Sequence, residues 1–225
     1  MRLLRRCARH GHHARRRRLG LSLIEATIAL SLTATVIAAV ALSAQSASDT
    51  YQTEGVRAAV DTRAHHVLEQ LVRELAEAER ATLAPDPLPA LATSTLTYRK
   101  STGFAAGAAT FGPWMRVELQ LEAGEVLDGL DNNGNGLADE RALVWTRNVG
   151  EADEQVVVLA HRISSLLEGE LPNGADDNQN GLDDEPGLVF SIDRDVLTIQ
   201  LSVAQRDSQG RTFTKTVRTS TRIRN

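Results

Sequence analysis

Two short segments of the sequence repeat the same spacing of oxygen-bearing side chains. Segment 128–140 reads Asp-Gly-Leu-Asp-Asn-Asn-Gly-Asn-Gly-Leu-Ala-Asp-Glu and aligns without gaps to segment 173–185, Asn-Gly-Ala-Asp-Asp-Asn-Gln-Asn-Gly-Leu-Asp-Asp-Glu. Each contains Asp-x-Asn-x-Asn-Gly, the first half of the EF-hand loop, in which oxygens at alternate positions converge on one cation. Carboxylate, amide and carbonyl oxygens suit calcium, so the repeat predicts two Ca²⁺ sites.

The two predicted sites differ from an EF-hand, because the closing acid comes two residues early and no helix pair flanks either loop. They look more like the short Asp/Asn-Gly calcium repeats of extracellular proteins. The predicted ligands of the first site are Asp131, Asn133, Asn135, the Leu137 carbonyl, Glu140 and, directly or through water, Asp139. Those of the second are Asp176, Asn178, Asn180, the Leu182 carbonyl, Glu185 and, likewise, Asp184. Asn in place of Asp lowers the ligand charge, which predicts a dissociation constant of about 10⁻⁴ to 10⁻³ M. The alternative is that both segments are flexible polar turns.

A single carboxylate stands in a long apolar segment near the N-terminus. From Leu21 to Ala44 the only ionisable residue is Glu25. A helix of that length measures roughly 36 Å, which is enough to cross a hydrocarbon core of about 30 Å. A carboxylate inside such a helix is costly unless a cation pairs with it, and this marks Glu25 as a functional residue.

The residues before the apolar segment are strongly basic. Residues 1–20 contain eight arginines and no acid. Because positive charge is retained on the cytoplasmic side, we expect the N-terminus inside and the rest of the chain outside. Removal of residues 1–20 would lower the formal charge from −4 by eight, to −12. A protein this acidic lacks the clustered positive charge that binds phosphate, so we expect no nucleic-acid partner.

The junction between the basic and apolar segments carries a specific pattern. It reads Gly20, Leu21, Ser22, Leu23, Ile24, Glu25. This order resembles the prepilin cleavage motif of type IV pilins and type II secretion pseudopilins, with Leu21 in place of the usual Phe and Ala26 in place of the usual Leu. The resemblance implies that a membrane aspartyl peptidase cuts between Gly20 and Leu21 and that the new amino group of Leu21 is N-methylated. It also implies that Glu25 pairs with the N-terminal amine of a neighbouring subunit.

The same resemblance implies the partners and the location of the protein. The partners would be the prepilin peptidase, other pilin or pseudopilin subunits bound through the N-terminal helix, and an assembly platform in the inner membrane. The chain would cross the inner membrane once and place its C-terminal domain in the periplasm. The alternative is an uncleaved signal anchor in which Glu25 reaches the membrane interface.

Helical spacing of apolar residues continues beyond the membrane segment. The apolar residues recur every three or four positions: Val56, Val60, Val67, Leu68, Leu71, Val72 and Leu75. This stripe predicts an amphipathic helix that packs on a globular body. Gly55 is a candidate hinge, and Pro85, Pro87 and Pro89 are expected to end the helix.

From Leu91 onward the spacing changes to the two-residue alternation of β-strands. The predicted strands are 91–100, 114–121, 142–147, 155–159, 188–192, 196–203 and 212–223, with a hairpin turn at 207–210. We therefore predict an α+β, pilin-like fold in which a long N-terminal helix packs on an antiparallel sheet. Its parts are a leader at 1–20, a transmembrane helix at 21–44, an amphipathic stalk at 45–84, and a periplasmic sheet domain at 85–225 with calcium-type loops at 128–140 and 173–185.

The sequence contains no recognisable catalytic constellation. His161 has no nucleophile in a known motif, no phosphate-binding loop is present, and no serine lies in a G-x-S-x-G context. We therefore predict that the protein is not an enzyme. Cys7 is the only cysteine and would leave with the leader, so we expect neither a disulfide nor thiol chemistry.

Several features favour a minor subunit of a filament. The segments 161–166 and 189–193, the helix end at 73–76 and the C-terminal strand pair resemble J-type minor pseudopilins, and loop insertions would crowd a tightly packed filament. The leading hypothesis is a minor pseudopilin of a type II secretion system that initiates a periplasmic filament at its tip for protein export. The alternatives are a minor pilin of a type IV pilus, serving adhesion, motility or DNA uptake, and a membrane-anchored calcium-binding recognition domain outside any filament.

Overall fold

The computed structural model of the chain describes residues 22–85, 93–179 and 182–223. The leader with the Gly20–Leu21 cleavage site and the predicted ligand Asn180 lie outside these ranges. The chain divides after Asp49 into two units. The first unit contains the apolar part of a long helix, and the second contains the β-strands.

The helix α1 spans Leu23–Leu75. Ser22 caps its start, because the Ser22 Oγ accepts the Glu25 backbone N–H at 3.2 Å and so satisfies a donor that the first turn leaves open. The helix continues without a break through Gly55, the position predicted as a hinge. A Cβ at Gly55 would meet no atom within 4 Å, so the glycine is not required there by packing.

The helix ends well before the proline boundary that the sequence predicted. Beyond Leu75 the backbone pairs with the segment that leads into the sheet: the Glu79 N–H donates to the Arg99 carbonyl at 3.0 Å, and Ala84 and Thr97 exchange two bonds of 2.9 Å. A 3₁₀-helix lies between these contacts, at Arg80–Thr82. These bonds satisfy backbone groups that further helical turns would have used, which explains the early end.

Nine strands follow in the described part of the chain. They are β1 (Leu96–Tyr98), β2 (Ser101–Ala105), β3 (Ala108–Phe111), β4 (Met115–Leu121), β5 (Arg141–Arg147), β6 (Gln155–Ile163), β7 (Leu188–Asp193), β8 (Val196–Arg206) and β9 (Thr212–Arg222). Seven of them form one antiparallel sheet in the order β1-β4-β5-β6-β8-β7, with β9 paired to β8. The predicted α+β class is confirmed, and each of the seven predicted strands has its counterpart in this sheet.

The strands β2 and β3 form a separate two-stranded hairpin that the sequence analysis did not predict. No side chain of either strand is buried, and Phe104 is 75% exposed. A hairpin without a buried face shows no alternation of apolar and polar residues, so the two-residue pattern could not reveal it.

The second half of α1 packs on one face of the sheet. The buried helix residues are Val60, Ala64, Val67, Leu68, Leu71 and Leu75. They share a core with side chains from all seven strands of the large sheet, and Leu71 and Leu75 are fully buried. Complete burial of one leucine side chain contributes about 1.5–3 kcal/mol. The predicted apolar stripe is therefore confirmed, with Val56 and Val72 at its partly exposed margin.

Two loops carry the repeated segments. Loop 1 (residues 122–140) joins β4 to β5, and loop 2 (residues 167–185) joins the end of β6 to β7. Arg141 at the start of β5 pairs with Leu121 at the end of β4 and with Ile163 at the end of β6. Ile163 in turn pairs with Val203 near the end of β8. Both loops and the β8–β9 turn therefore share one end of the sheet.

Candidate functional site

The first half of α1 exposes an unusual amount of apolar surface. Among the described residues, α1 is the helix that is long and apolar enough to cross a membrane. Leu23, Leu30 and Leu42 are 86%, 71% and 67% exposed. A continuous apolar surface of this kind is typical of a segment that contacts lipid or another protein.

Four hydroxyl groups in this apolar half are bonded within the helix. Thr27, Ser31, Thr33 and Thr35 each donate to a backbone carbonyl three or four residues earlier, at 2.7–2.9 Å. A hydroxyl bonded in this way needs no water, so it is compatible with a hydrocarbon environment. These residues therefore do not prevent the helix from entering a bilayer.

Glu25 differs from these residues, because its carboxylate is exposed and makes no hydrogen bond or ion pair with any described residue. Ser22 and Glu25 are spaced as in a capping box. In the first turn of a helix, a carboxylate also interacts favourably with the helix dipole, by about 0.3–1 kcal/mol. This local effect is smaller than the cost of placing a charge in lipid, so Glu25 needs a further partner in a membrane.

In loop 1 the carboxylate of Asp131 holds the turn closed. Its Oδ1 accepts the backbone N–H groups of Gly134 and Asn135 at 2.7 and 3.1 Å, and its Oδ2 accepts that of Gly136 at 2.8 Å. The turn bends the chain around this carboxylate. It brings the side chains of Asn133 and Asn135 to the same side of the loop as Glu140.

Asn133, Asn135 and Glu140 form one cluster. The amide nitrogens of both asparagines donate to the Glu140 Oε1, from Asn133 at 2.7 Å. The amide oxygens accept backbone N–H groups two residues further on, at 3.0 Å each. The structure therefore brings together three of the predicted ligands, and Asp131 is linked to them through the Asn135 N–H.

The second carboxylate oxygen of Glu140 has no hydrogen-bond partner. Glu140 is 1% exposed, and its Oε2 is buried without a donor. Leaving a buried polar atom unsatisfied costs about 1–3 kcal/mol, and more for a charged group. A metal ion is one way to compensate such an oxygen.

Asp139 serves a different purpose in the structure. Its carboxylate accepts the backbone N–H groups of Asp128 and Gly129, with contacts of 2.9 to 3.2 Å, so it closes the base of loop 1. Glu125 has a similar role: its two carboxylate oxygens accept the N–H groups of Asn133 and Asp139 at 2.9 and 3.3 Å, and it is 8% exposed. Both acids are satisfied by the backbone of the loop.

Loop 2 repeats this arrangement at a constant offset in sequence. Asp184 accepts the N–H groups of Asn173 and Gly174 at 3.1 and 2.8 Å, as Asp139 does in loop 1. Glu170 accepts those of Asn178 and Asp184 at 3.1 and 3.3 Å, as Glu125 does. The remaining described members of the second predicted site also lie in this loop: Asp176, Leu182 and Glu185, of which Glu185 is 2% exposed.

Glu125 and Glu170 are not among the residues predicted from the sequence. The repeat extends upstream of the aligned segments, since a Gly-Glu pair occurs at 124–125 and again at 169–170. Both glycines allow the chain to pass close to the asparagine of its loop. A Cβ on Gly124 would lie 3.2 Å from the Asn133 Cβ, and one on Gly169 would lie 3.3 Å from the Asn178 Cβ. Continuing the alignment in the N-terminal direction would have found both glutamates.

No group of three or more His, Cys, Asp or Glu side chains is arranged to hold a metal within residues 22–85, 93–179 and 182–223. Of the three carboxylates in the predicted set of loop 1, Asp139 is bonded to backbone N–H groups, which leaves Asp131 and Glu140 beside amide and carbonyl oxygens. A site of this composition differs from the acid-rich and histidine-rich sites that bind metals tightly.

A polar cluster connects the start of loop 1 to α1. The Glu122 carboxylate contacts the His161 Nδ1 and accepts the Arg162 backbone N–H, both at 2.9 Å. Glu122, His161 and Arg162 line a cavity of about 610 Å³ together with Arg63 of the helix. Burial lowers the pKa of Arg63, and the nearby charge of Arg162 acts in the same direction. No described serine, threonine or cysteine lines this cavity.

Known proteins provide no identification of these features. Comparisons with protein-family models, with curated proteins and with solved structures found no match. Two carboxylates without an ion-pair partner among the described residues stand out: Glu25 in the apolar half of α1 and Glu140 in loop 1.

Proposed function

We propose that the protein is a minor pseudopilin of a type II secretion system, which joins a periplasmic filament through its N-terminal helix. The observation that supports this most directly is the pairing of an exposed apolar half-helix with a single carboxylate, Glu25, in its first turn. The resemblance of residues 20–25 to a prepilin cleavage motif adds to this support.

The chemistry of assembly follows from the cost of a charge in lipid. Cleavage after Gly20 would create a new α-amino group on Leu21, a cation at the end of the same helix. A neighbouring subunit that lies alongside in the membrane can present such an amine directly to Glu25. Opposite charges that meet in a low-dielectric environment attract strongly. The terminal amine of one subunit and the Glu25 carboxylate of the next would therefore neutralise each other.

The loops favour a minor subunit. Loops 1 and 2 both extend one end of the sheet and would obstruct the dense packing of an abundant major subunit. The proposed partners are the prepilin peptidase, other pseudopilins and an inner-membrane assembly platform, with the sheet domain in the periplasm. A minor pilin of a type IV pilus has the same chemistry, and the genes that flank this one would separate the two systems. The buried Glu140 favours, as a second candidate, a membrane-anchored calcium-binding domain that enters no filament.

The first test concerns processing. Mass spectrometry of the chain extracted from membranes of its native host should find Leu21 at the N-terminus with one added methyl group. Gly20→Val should leave the arginine-rich leader attached, because a bulky side chain obstructs the cleavage site. An intact leader on the wild-type chain would contradict the proposal.

The second test separates assembly from processing. Glu25→Gln should be cleaved normally but should no longer cross-link to other subunits in the membrane, since a neutral side chain cannot pair with the terminal amine. Glu69→Gln is the matched control, because Glu69 is exposed on the same helix and lies outside the apolar half. Equal cross-linking of the Glu25 variant and the wild type would contradict pairing of Glu25 with a terminal amine, and the absence of cross-links in both chains would favour the anchored binding domain.

A further inference from the structure

The carboxylate of Glu140 is buried but only half satisfied. Its Oε1 accepts two amide N–H groups, from Asn133 and Asn135, while its Oε2 accepts none. None of the ion pairs found among the described residues involves Glu140 or Asp131. Asp131 and Glu140 therefore lie in one loop without an ion-pair partner among the described residues, and one oxygen of Glu140 is buried without a donor.

The oxygens around Glu140 can accept more than they do. A carboxylate has about four lone-pair positions, of which the three N–H contacts of Asp131 use three. The Oδ1 of Asn133 and that of Asn135 each accept one N–H group and keep a second lone pair. These oxygens belong to alternate residues of a turn, which is the arrangement that converges on a single ion.

The four other acids of loop 1 bind groups of the protein: Glu122 contacts His161 and Arg162, and the Asp128 Oδ1 accepts the Leu130 N–H and the Asn132 amide. Glu125 and Asp139 direct both of their carboxylate oxygens to backbone N–H groups. These hydrogen bonds hold the loop in a closed turn without an ion. This leaves Asp131 and Glu140, with a combined charge of −2, opposite a divalent cation.

Arg206, which contacts loop 1, does not fill this role. Arg206 of β8 donates from Nη1 to the Gly136 carbonyl at 3.3 Å, which is a contact with the loop backbone. An oxygen set of two carboxylates, two amides and a main-chain carbonyl suits Ca²⁺, which accepts irregular geometry. Mg²⁺ requires near-octahedral geometry and keeps several of its waters.

We propose that loop 1 binds one Ca²⁺ through Asp131, Asn133, Asn135, the Leu137 carbonyl and Glu140, with Glu125 and Asp139 as positioning residues that do not touch the ion. Loop 2 repeats the same scaffold through Glu170 and Asp184. This inference does not depend on filament assembly, because it concerns a loop of the sheet domain alone.

The test is equilibrium dialysis of the full-length chain in detergent micelles against radioactive calcium, with Mg²⁺ in excess. Glu140→Gln should bind one Ca²⁺ per chain fewer than the wild type. The matched control is Glu118→Gln on β4, whose carboxylate lies 3.6 Å from Arg116 outside the loops, and it should bind as much as the wild type. Equal binding by the wild type and the Glu140 variant would overturn the proposal.

Thermal unfolding shows whether the Glu140 variant is merely misfolded. With EGTA present, Glu140→Gln should unfold at the same temperature as the wild type or higher, because it removes a buried charge. Added calcium should raise the unfolding temperature of the wild type and leave that of the variant unchanged. A calcium-induced rise of equal size in both chains would contradict the assignment.

A second variant tests the same site by adding a carboxylate to it, which should strengthen calcium binding. Asn133→Asp replaces an amide donor to Glu140 with a third carboxylate, so it should lower the unfolding temperature in EGTA by charge repulsion. Because ligand charge strengthens calcium binding, its affinity for Ca²⁺ should rise at least severalfold. Weaker calcium binding by Asn133→Asp than by the wild type would count against Asn133 as a ligand.

Discussion

The carboxylate of Asp207 organises the turn between β8 and β9. Its Oδ1 accepts the backbone N–H groups of Gln209 and Arg211 at 2.9 and 2.8 Å, and its Oδ2 accepts the Arg211 Nε at 2.8 Å. The side chain is only 2% exposed. Burial acts to raise the pKa of Asp207, but the hydrogen bonds from Arg211 and Gln209 outweigh it and hold the pKa below the ordinary value of 3.8.

This lowered pKa predicts a pH-dependent contribution to stability. Because the folded protein holds the proton less tightly than the unfolded chain, Asp207 stabilises the fold above about pH 3.8, and this contribution is lost as the pH falls through the folded-state pKa. Asp207→Asn should therefore lower the melting temperature at about pH 7, and the difference from the wild type should shrink below about pH 3.8. Thermal unfolding followed by circular dichroism at a series of pH values measures this.

Asp153 provides the control for the Asp207 prediction. It is exposed, and the side-chain bond to its carboxylate comes from the Asn148 amide at 2.8 Å. Asp153→Asn should change the melting temperature little over the same pH range. A difference between Asp207→Asn and the wild type that is constant from neutral to acidic pH would show that the charge of Asp207 is not what stabilises the turn.

At the scale of elements, the approach of loop 2 to β8 depends on one glycine. The Gly187 N–H donates to the Ser165 carbonyl at 3.0 Å, and the Gly187 carbonyl accepts the Ser202 N–H at 2.7 Å. A Cβ at this position would lie 1.8 Å from the Ser164 carbonyl oxygen. The backbone at Ser164 is therefore too close to Gly187 for any side chain at this position.

Gly187→Ala should destabilise the protein strongly. The added methyl group must displace backbone rather than a flexible side chain, and such overpacking costs roughly 1–3 kcal/mol or more. Gly55→Ala is the matched substitution in open space and should leave stability unchanged or raise it by about 0.5–1 kcal/mol, because alanine favours a helix. Denaturant unfolding measures the free energy of unfolding of both variants. A Gly187→Ala variant that is as stable as Gly55→Ala would be incompatible with the observed backbone approach.

The elements with a buried face were predictable from the sequence. The stripe from Val60 to Leu75 and the alternation in β8 and β9 follow from burial on one side, and the structure has both. The hairpin turn at 207–210 was predictable because Asp and Gly favour such turns. The repeated loops were recognisable because their turns depend on local side-chain oxygens.

Other features depended on contacts between distant parts of the chain. The end of α1 at Leu75 is set by pairing of Glu79 and Ala84 with residues near β1, which no local pattern reports. The hairpin β2–β3 has no buried face and therefore no signal. The role of Asp139 was also not predictable, because an acid that accepts backbone N–H groups and an acid that binds a metal look alike in sequence.

At the scale of the molecule, an acidic sheet domain is joined to an apolar half-helix. We expect alkaline carbonate and high salt to leave the wild-type chain in the membrane fraction, because the exposed side chains from Leu23 to Leu42 would otherwise face water. Val36→Arg should weaken this retention, since an arginine in the middle of a spanning helix costs about 2.5–3.5 kcal/mol.

Sedimentation followed by immunoblotting measures the retention. Val36→Leu is the control, because it preserves the apolar surface at the same position, and it should stay in the membrane fraction. Release of the wild-type chain by carbonate would mean that the apolar half of α1 is not integrated in lipid.

Each loop is closed at its base by one short contact. The Glu122 N–H donates to the Glu140 carbonyl at 3.1 Å, and the Leu167 N–H donates to the Glu185 carbonyl at 2.9 Å. The strands that flank loop 1, β4 and β5, pair with each other up to Leu121 and Arg141, whereas β6 and β7, which flank loop 2, both pair with β8. Loop 1 is therefore an insertion in a hairpin, and a short reverse turn in its place should preserve the strand order, whereas loop 2 has to carry the chain past β8.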